Sequence, residues 1–414
     1  MNIYGWIVLA AIVTGFLLDT IADYLNLKNL NKGLPREFSD VFDEEKYRES
    51  QNYTKERTKF GYYPAVLSLV ITLAFWFAGG FEWLDSLVVS LNDSFIIRGL
   101  LFIGILGFAQ MLISLPFSIY STFVIEEKYG FNKTTPKVFV IDRLKSTGLS
   151  VLIGAPLLAG LLWVLRETGE YAWLYGWAGL VVFMLIMQYI APRWIMPLFN
   201  KFKPLEEGEL RDKIFSYAEK VNFPLTNVFV MDGSKRSTKS NAFFTGFGKN
   251  KRIALYDTLI EKHTDDELVA VLAHEIGHYK KKHITAGMLI SIAHTGILFY
   301  LLSIFLYDEG LYRAFFMDRT PIYAGLVFFG MLYSPVEMIL SVLMNIFSRK
   351  NEYQADRFAA ETYEKPRALI DALKKLSKNN LSNLTPHQFY VFINYSHPPV
   401  LKRIKKIDHI AQGN

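Results

Sequence analysis

Five stretches of this chain run for 20 residues or more without a single charge, and no other feature restricts its fold so strongly. Residues 60–81, 99–125, 146–165, 171–192 and 284–307 each have the length a helix needs to cross the roughly 30 Å hydrocarbon core of a bilayer. The buried helices of a water-soluble domain do not require five such runs. Two further segments fit less cleanly. Residues 3–18 are uncharged, and Asp19 and Asp23 continue the same helical period; residues 320–348 are long enough but contain Glu337. Seven spans are therefore expected. No Lys or Arg precedes Lys28 and no small-residue cleavage site follows the first apolar run, so that run reads as a span and not as a cleaved signal peptide. With 51% apolar and only 20% charged residues, disorder and fibrous repeats are excluded.

The basic residues give a direction. Of 45 Lys and Arg, 41 fall in the loops after spans one, three and five and in the C-terminal tail; Arg98, Arg166, Arg313 and Arg319 are alone on the other side. Positive loops stay in the cytoplasm, so the N-terminus is expected outside and the C-terminus inside. The net charge of +6 thus belongs to membrane topology, and no nucleic-acid partner is expected; membrane lipid is. The expected organisation is five spans with their loops over 1–192, a first polar unit at 193–283, spans six and seven at 284–348, and a second polar unit at 349–414.

The first polar unit reads as a small α+β domain. Residues 209–221 have helical character, and 227–231 alternate as a strand. The apolar runs 241–247 and 252–256 are joined by Gly248-Lys249-Asn250-Lys251, a four-residue hairpin signal. The polar run 237–240 reads as a mobile loop. Thr264-Asp265-Asp266-Glu267 forms a capping box ahead of an apolar period, so a helix starts there.

That helix carries His274-Glu275-Ile276-Gly277-His278. Residues four apart lie one above the other on a helix face, so the two imidazoles can grip one metal ion, while Glu275 stands beside the first where it can act as a base on a water. This is the zincin arrangement. The chain has no cysteine, so any further ligand must be His, Asp or Glu. No third His follows a few residues downstream. Glu352 and Asp356, again four apart after span seven, supply one ligand and one carboxylate to steady a ligand His; spacing does not say which is which, nor exclude a solvated helix with two acids. His263 and His283 flank the motif helix but share no face with its ligands, and read as structural.

At these residues the chain resembles the type I CAAX prenyl endopeptidases, multi-span zinc proteases that process prenylated proteins. The resemblance is carried by the loop Phe123-Val124-Ile125-Glu126-Glu127-Lys128-Tyr129-Gly130-Phe131-Asn132, where many members have His at the Tyr129 position. Ser240-Asn241-Ala242-Phe243-Phe244-Thr245-Gly246-Phe247, the Ser348–Asp356 stretch and His397-Pro398-Pro399 carry it further. It implies a mainly α membrane protein, a seven-transmembrane-helix barrel around a water-filled chamber, with a small α+β zincin-like catalytic domain on the cytoplasmic side. It implies one zinc ion per chain held by His274, His278 and Glu352, with Asp356 behind a ligand. Glu275 would be the catalytic base, His397 a helper for the tetrahedral intermediate, and Arg403 a supporting residue. The apolar run Asn241, Ala242, Phe243 and Phe244, close in sequence to the motif helix, is expected to bind substrate as an added strand. The expected substrate is a peptide or protein, prenylated at its C-terminus if the resemblance extends that far. The C-terminus lacks a K-D-E-L signal, and a prokaryotic plasma membrane is expected, or the ER membrane in a eukaryote. Three alternatives stay open: a quality-control protease indifferent to prenylation, a metal-binding transporter, and an inactive scaffold of the protease fold.

Overall fold

The computed structural model describes residues 1–30, 32–245 and 252–412. Seven helices are long and apolar enough to cross a membrane: Ile3–Asn29, Glu44–Phe77, Phe95–Glu126, Pro136–Glu167, Gly169–Phe199, His283–Phe305 and Ile322–Thr362. All seven expected spans are present, and most run beyond their uncharged windows because a helix need not stop where lipid does. The last is the extreme case. Its 41 residues form one unbroken helix, so span seven and the Glu352–Asp356 stretch are a single rod with no hinge at 348.

Each span packs on its neighbours in chain order, and span seven packs on span one, so the seven close into a ring. Between 6% and 22% of each span's apolar window is buried, too little for a solid bundle in which every helix hides one face. At the end away from the sheet described below lies an aromatic core, where Trp76, Phe81, Phe102, Tyr312, Phe315 and Phe328 come together and the Phe315 and Phe328 rings stack at 4.0 Å. Charged residues within the spans have partners or line cavities. Glu337 lies 3.2 Å from His294 Nε2, and Asp19 and Asp23 line a cavity of about 540 Å³ with Arg57 and Tyr62.

The opposite end carries a four-stranded sheet in the order β1-β2-β4-β3, with β1 Phe202–Pro204, β2 Asn227–Met231, β3 Ala242–Thr245 and β4 Arg252–Tyr256. The pair β2–β4 is parallel; β1–β2 and β3–β4 are antiparallel. The strands β2 and β4 coincide with the runs expected from alternation, whereas the three-residue β1 is too short to show a period. The expected hairpin connection at 248–251 lies outside the described residues, as do Gly246 and Phe247. The sheet packs through Val228, Ile253 and Leu255 onto the motif helix Asp265–Lys280, whose Leu268, Val269, Leu272 and Ile276 face it. The same core takes Ala359 from the seventh helix, Leu369 and Leu373 from Pro366–Asn379, and Ile404 and Ile407 from Val400–Ala411. Thr264 and Glu267 form the expected capping box.

The run 237–240 is not a loose loop. Lys239 Nζ bonds Glu126 Oε2 at 2.7 Å and Tyr53 Oη at 2.6 Å, and Asn380 holds the Ser240 backbone by accepting from its N–H at 3.0 Å and donating to its carbonyl at 3.1 Å. Polar residues that look solvated in sequence are here the fastening between the ring and the sheet. The partners lie more than 100 residues away along the chain, where no local pattern reaches them.

Candidate metal centre and active-site cleft

The motif helix brings His274 and His278 together by its own pitch, and their Nε2 atoms face each other at 3.2 Å. Gly277 explains why this helix can lie so close to the seventh: a Cβ there would stand 3.0 Å from the Ala355 Cα and 3.1 Å from its carbonyl oxygen. Backbone therefore meets backbone, and Glu352 enters the site with Oε1 3.2 Å from His278 Nε2 and Oε2 3.4 Å from His274 Nε2. One ligand atom from each of the three residues lies within 4.8 Å of the others.

The donor set fits a divalent cation. Two imidazole lone-pair positions and a carboxylate converge on one point, and Glu352 Oε2 is buried without a hydrogen bond of its own. Three carboxylates, Glu275, Glu352 and Asp356, are gathered around the single guanidinium of Arg403, which leaves an excess of two negative charges. Burial opposes protonation of His274, but its hydrogen bonds to Asp356 and Glu352 outweigh that and raise its pKa to about 9, the mark of a site that favours positive charge. Burial pushes the Glu275 carboxyl up, toward the range of a working base.

Geometry also separates Glu352 from Asp356. Asp356 Oδ1 lies 2.9 Å from His274 Nδ1, on the far side of the ring from Glu352. It accepts the Nδ1 proton and leaves Nε2 bare. Arg403 closes this layer with two bonds, Nε to Asp356 Oδ2 at 2.8 Å and Nη2 to Oδ1 at 2.6 Å, and its Nη1 is 3.4 Å from Glu352 Oε2. His397 reaches the same carboxylate from the open side, with Nε2 3.3 Å from Glu352 Oε1 and a side chain 64% exposed. Ser396 Oγ and His397 Nδ1 are 3.0 Å apart.

His274, Glu275, His278, Glu352, His397 and Arg403 line a cleft of about 370 Å³ together with Asn241, Ala242 and Phe244. Phe243 is not part of its wall; its ring packs near Tyr256 instead. Strand β3 is the edge of the sheet. Tyr256 N donates to Asn241 O at 3.1 Å, so with the observed register Asn241 and Phe243 turn their backbone groups to β4, while Ala242 and Phe244 turn theirs to the open edge. Larger cavities occur elsewhere, but among the described residues no other group of His, Asp and Glu is placed to hold a metal.

Two residues escaped the sequence reading. His283 Nδ1 lies 3.1 Å from His278 Nδ1, and its Nε2 lies 2.9 Å from Gln354 Oε1. The face rule fails because the motif helix ends at Lys280 and the chain turns through Lys282 at φ 59°, so His283 begins the next helix. His263, by contrast, bonds only the Leu259 carbonyl, at 2.9 Å, among the described contacts.

Residues 23–201 match the family described as CAAX prenyl protease N-terminal, five membrane helices, and residues 204–411 match peptidase family M48. A CAAX prenyl protease 1 homolog of Arabidopsis thaliana is 37% identical over 412 residues, 96% of each chain. CAAX prenyl protease 1 of Saccharomyces cerevisiae is 35% identical, covering 97% of this chain and 95% of its own. The crystal structure of S. mikatae Ste24p superposes with a TM-score of 0.93 at 35% identity, over 99% of this chain and 100% of that one.

The Asp356–Arg403 layer gives a stability test. Asp356 is 1% exposed, so Arg403→Met strands a buried carboxylate and is expected to cost on the order of 3–5 kcal/mol. The readout is the thermal unfolding midpoint of chelator-treated protein; an unchanged midpoint would show that the pair contributes nothing.

Proposed function

The chain belongs to the CAAX prenyl protease family of M48 peptidases and is a multi-pass membrane metalloendopeptidase of that type; we propose that it uses zinc to hydrolyse a peptide bond near the prenylated C-terminus of a protein substrate. The observation that carries this is one cleft holding His274, His278, Glu352 and Glu275 against an open strand edge. His274, His278 and Glu352 would hold the ion. Bound there, zinc supplies a Lewis acid for the scissile carbonyl and a water acidic enough to lose a proton near neutral pH.

The protein's own groups do the rest. Substrate lies extended along β3, its backbone bonded to the edge-facing N–H and C=O groups of Ala242 and Phe244, displacing Asn241 Oδ1 from the Ala242 N–H. The Glu275 carboxylate takes the proton of the attacking water and passes it to the departing amine nitrogen. His397, on the open side of Glu352, donates to the oxygen that gains charge. Asp356 and Arg403 keep His274 in the tautomer that presents Nε2. A metal-binding transporter would leave Glu275 without a task. The polar units 193–283 and 349–414 act as two halves of one catalytic domain, which their shared core supports. The charge asymmetry supports a cytoplasmic position for that domain.

Glu275→Gln is expected to abolish turnover and keep one zinc per chain. His397→Ala should lower kcat by about 10²–10³ at unchanged zinc content, the scale for losing one oxyanion donor. Mass spectrometry of products from a prenylated and an unprenylated form of one peptide tests the substrate: equal cleavage of both would sink prenyl dependence and leave a general membrane protease.

Because the chain contains no cysteine, single cysteines report orientation without background. Glu207→Cys should label from the cytoplasm and Asp93→Cys from outside. Labelling of both from one face would refute the assigned direction.

Strand β3 makes a separate prediction. Ala242→Pro removes an edge N–H that Asn241 Oδ1 holds until substrate displaces it, a change that edges tolerate, and should raise KM with zinc retained. Phe243→Pro removes an N–H turned to β4 and should destabilise the sheet. Unaltered KM in folded Ala242→Pro protein would mean that substrate is held elsewhere.

A further inference from the structure

The two ligand imidazoles are backed differently. His274 has a carboxylate, Asp356, on its Nδ1. His278 has another imidazole: its Nδ1 faces His283 Nδ1 at 3.1 Å, and the far nitrogen of that ring faces Gln354 Oε1 at 2.9 Å. We infer that His283 and Gln354 are positioning residues of the metal centre, which fix the tautomer of His278 through a two-step hydrogen-bond relay. The inference rests on the reading of His274, His278 and Glu352 as ligands.

The logic follows from proton counting. Two Nδ1 atoms within hydrogen-bond distance share one proton, so one ring donates and the other accepts. For His278 to present a bare Nε2, its proton must sit on Nδ1. His283 Nδ1 must then accept, which puts the proton of His283 on Nε2, and Nε2 must donate. Its partner there is an amide oxygen, an acceptor. Run backwards, with Gln354 donating through its amide nitrogen, the relay delivers a proton to His278 Nε2 and blocks it as a ligand. The end of the relay therefore needs an acceptor, and Gln354 presents one.

The parts are well held for this purpose. His283 is 8% exposed and opens the helix of span six, immediately after the left-handed turn at Lys282. Gln354 lies on the seventh helix between Glu352 and Asp356. That helix thus supplies a ligand, the acceptor behind His274, and the last member of the relay behind His278. The orientation of His278 is tied to the first turn of span six, which ties the metal centre to the ring beneath it.

The test uses full-length protein in detergent, with zinc affinity read by competition against a chromogenic chelator and ligand geometry read from the visible spectrum of the cobalt(II)-loaded form. His283→Ala should weaken zinc binding by about 10–100-fold, the usual cost of losing a group behind a ligand, and shift the cobalt spectrum. His283→Gln should restore part of the affinity, since its amide oxygen can accept from His278 Nδ1. The pair Gln354→Glu and Gln354→Lys separates polarity from packing: the acceptor-only Glu should retain affinity, and the donor-only Lys should lose it to the extent of His283→Ala. This pair decides the matter if His283→Ala does not fold. Equal affinity in Gln354→Glu and Gln354→Lys, beside clear loss in Glu352→Gln, would overturn the relay while leaving the ligand set intact. Native affinity in Glu352→Gln would instead overturn the ligand reading on which the relay depends.

Discussion

Lipid offers no partner to a backbone N–H or carbonyl, so a segment that crosses it must satisfy its own hydrogen bonds as a helix. The last span obeys this and then keeps going. At 1.5 Å per residue its 41 residues extend for about 60 Å, twice the roughly 30 Å needed to cross the hydrocarbon. The surplus is what places Glu352, Gln354 and Asp356 beside the motif helix. A flexible join between span and ligands would let the carboxylate wander; one continuous helix fixes it relative to the membrane. Gly277 completes the arrangement by letting the two helices meet at backbone distance.

Charge explains the order of the layers behind the metal ligands. Glu352 and Asp356 are 4% and 1% exposed, and carboxylates so buried need compensation. Arg403 provides it from the C-terminal helix, bidentate on Asp356 and within 3.4 Å of Glu352. A planar guanidinium can serve both because its donors leave in fixed directions. The last helix of the chain is thereby fastened to the first ligand by way of Asp356, and the two polar units, separated in sequence by two spans, become one core.

What could be read in the sequence was what local periodicity records. Seven apolar windows, the capping box at Thr264, the strands Asn227–Met231 and Arg252–Tyr256, and the His274/His278 spacing are all set by residues within a few turns of one another. The assignment of Glu352 over Asp356 was not local. Both sit on one helix face, and only the direction of His274 decides which meets Nε2 and which meets Nδ1. His283 was misread for a similar reason: the rule that it failed applies inside one helix, and the chain had already changed helix. The fastening of Lys239 to Glu126 joins residues 113 apart, so a polar run that looks solvated turned out to be pinned.

Hydrolysis needs water, and the ring shows from which side it can come. His294 and Glu337 pair at 3.2 Å within the spans, and Asp19, Asp23 and Arg57 line a cavity between the first two spans and residues 380–395. Groups of this kind are tolerable at membrane depth when they pair with one another or face a wetted interior wall. Aromatic stacking around Phe315 and Phe328 closes one end, while the other is walled by a sheet whose edge strand β3 remains unpaired on one side among the described residues. In the proposed mechanism water and an extended peptide converge on the end of the ring that carries the sheet. The edge that elsewhere would be a liability for aggregation lies there within the wall of the cleft that holds Glu275.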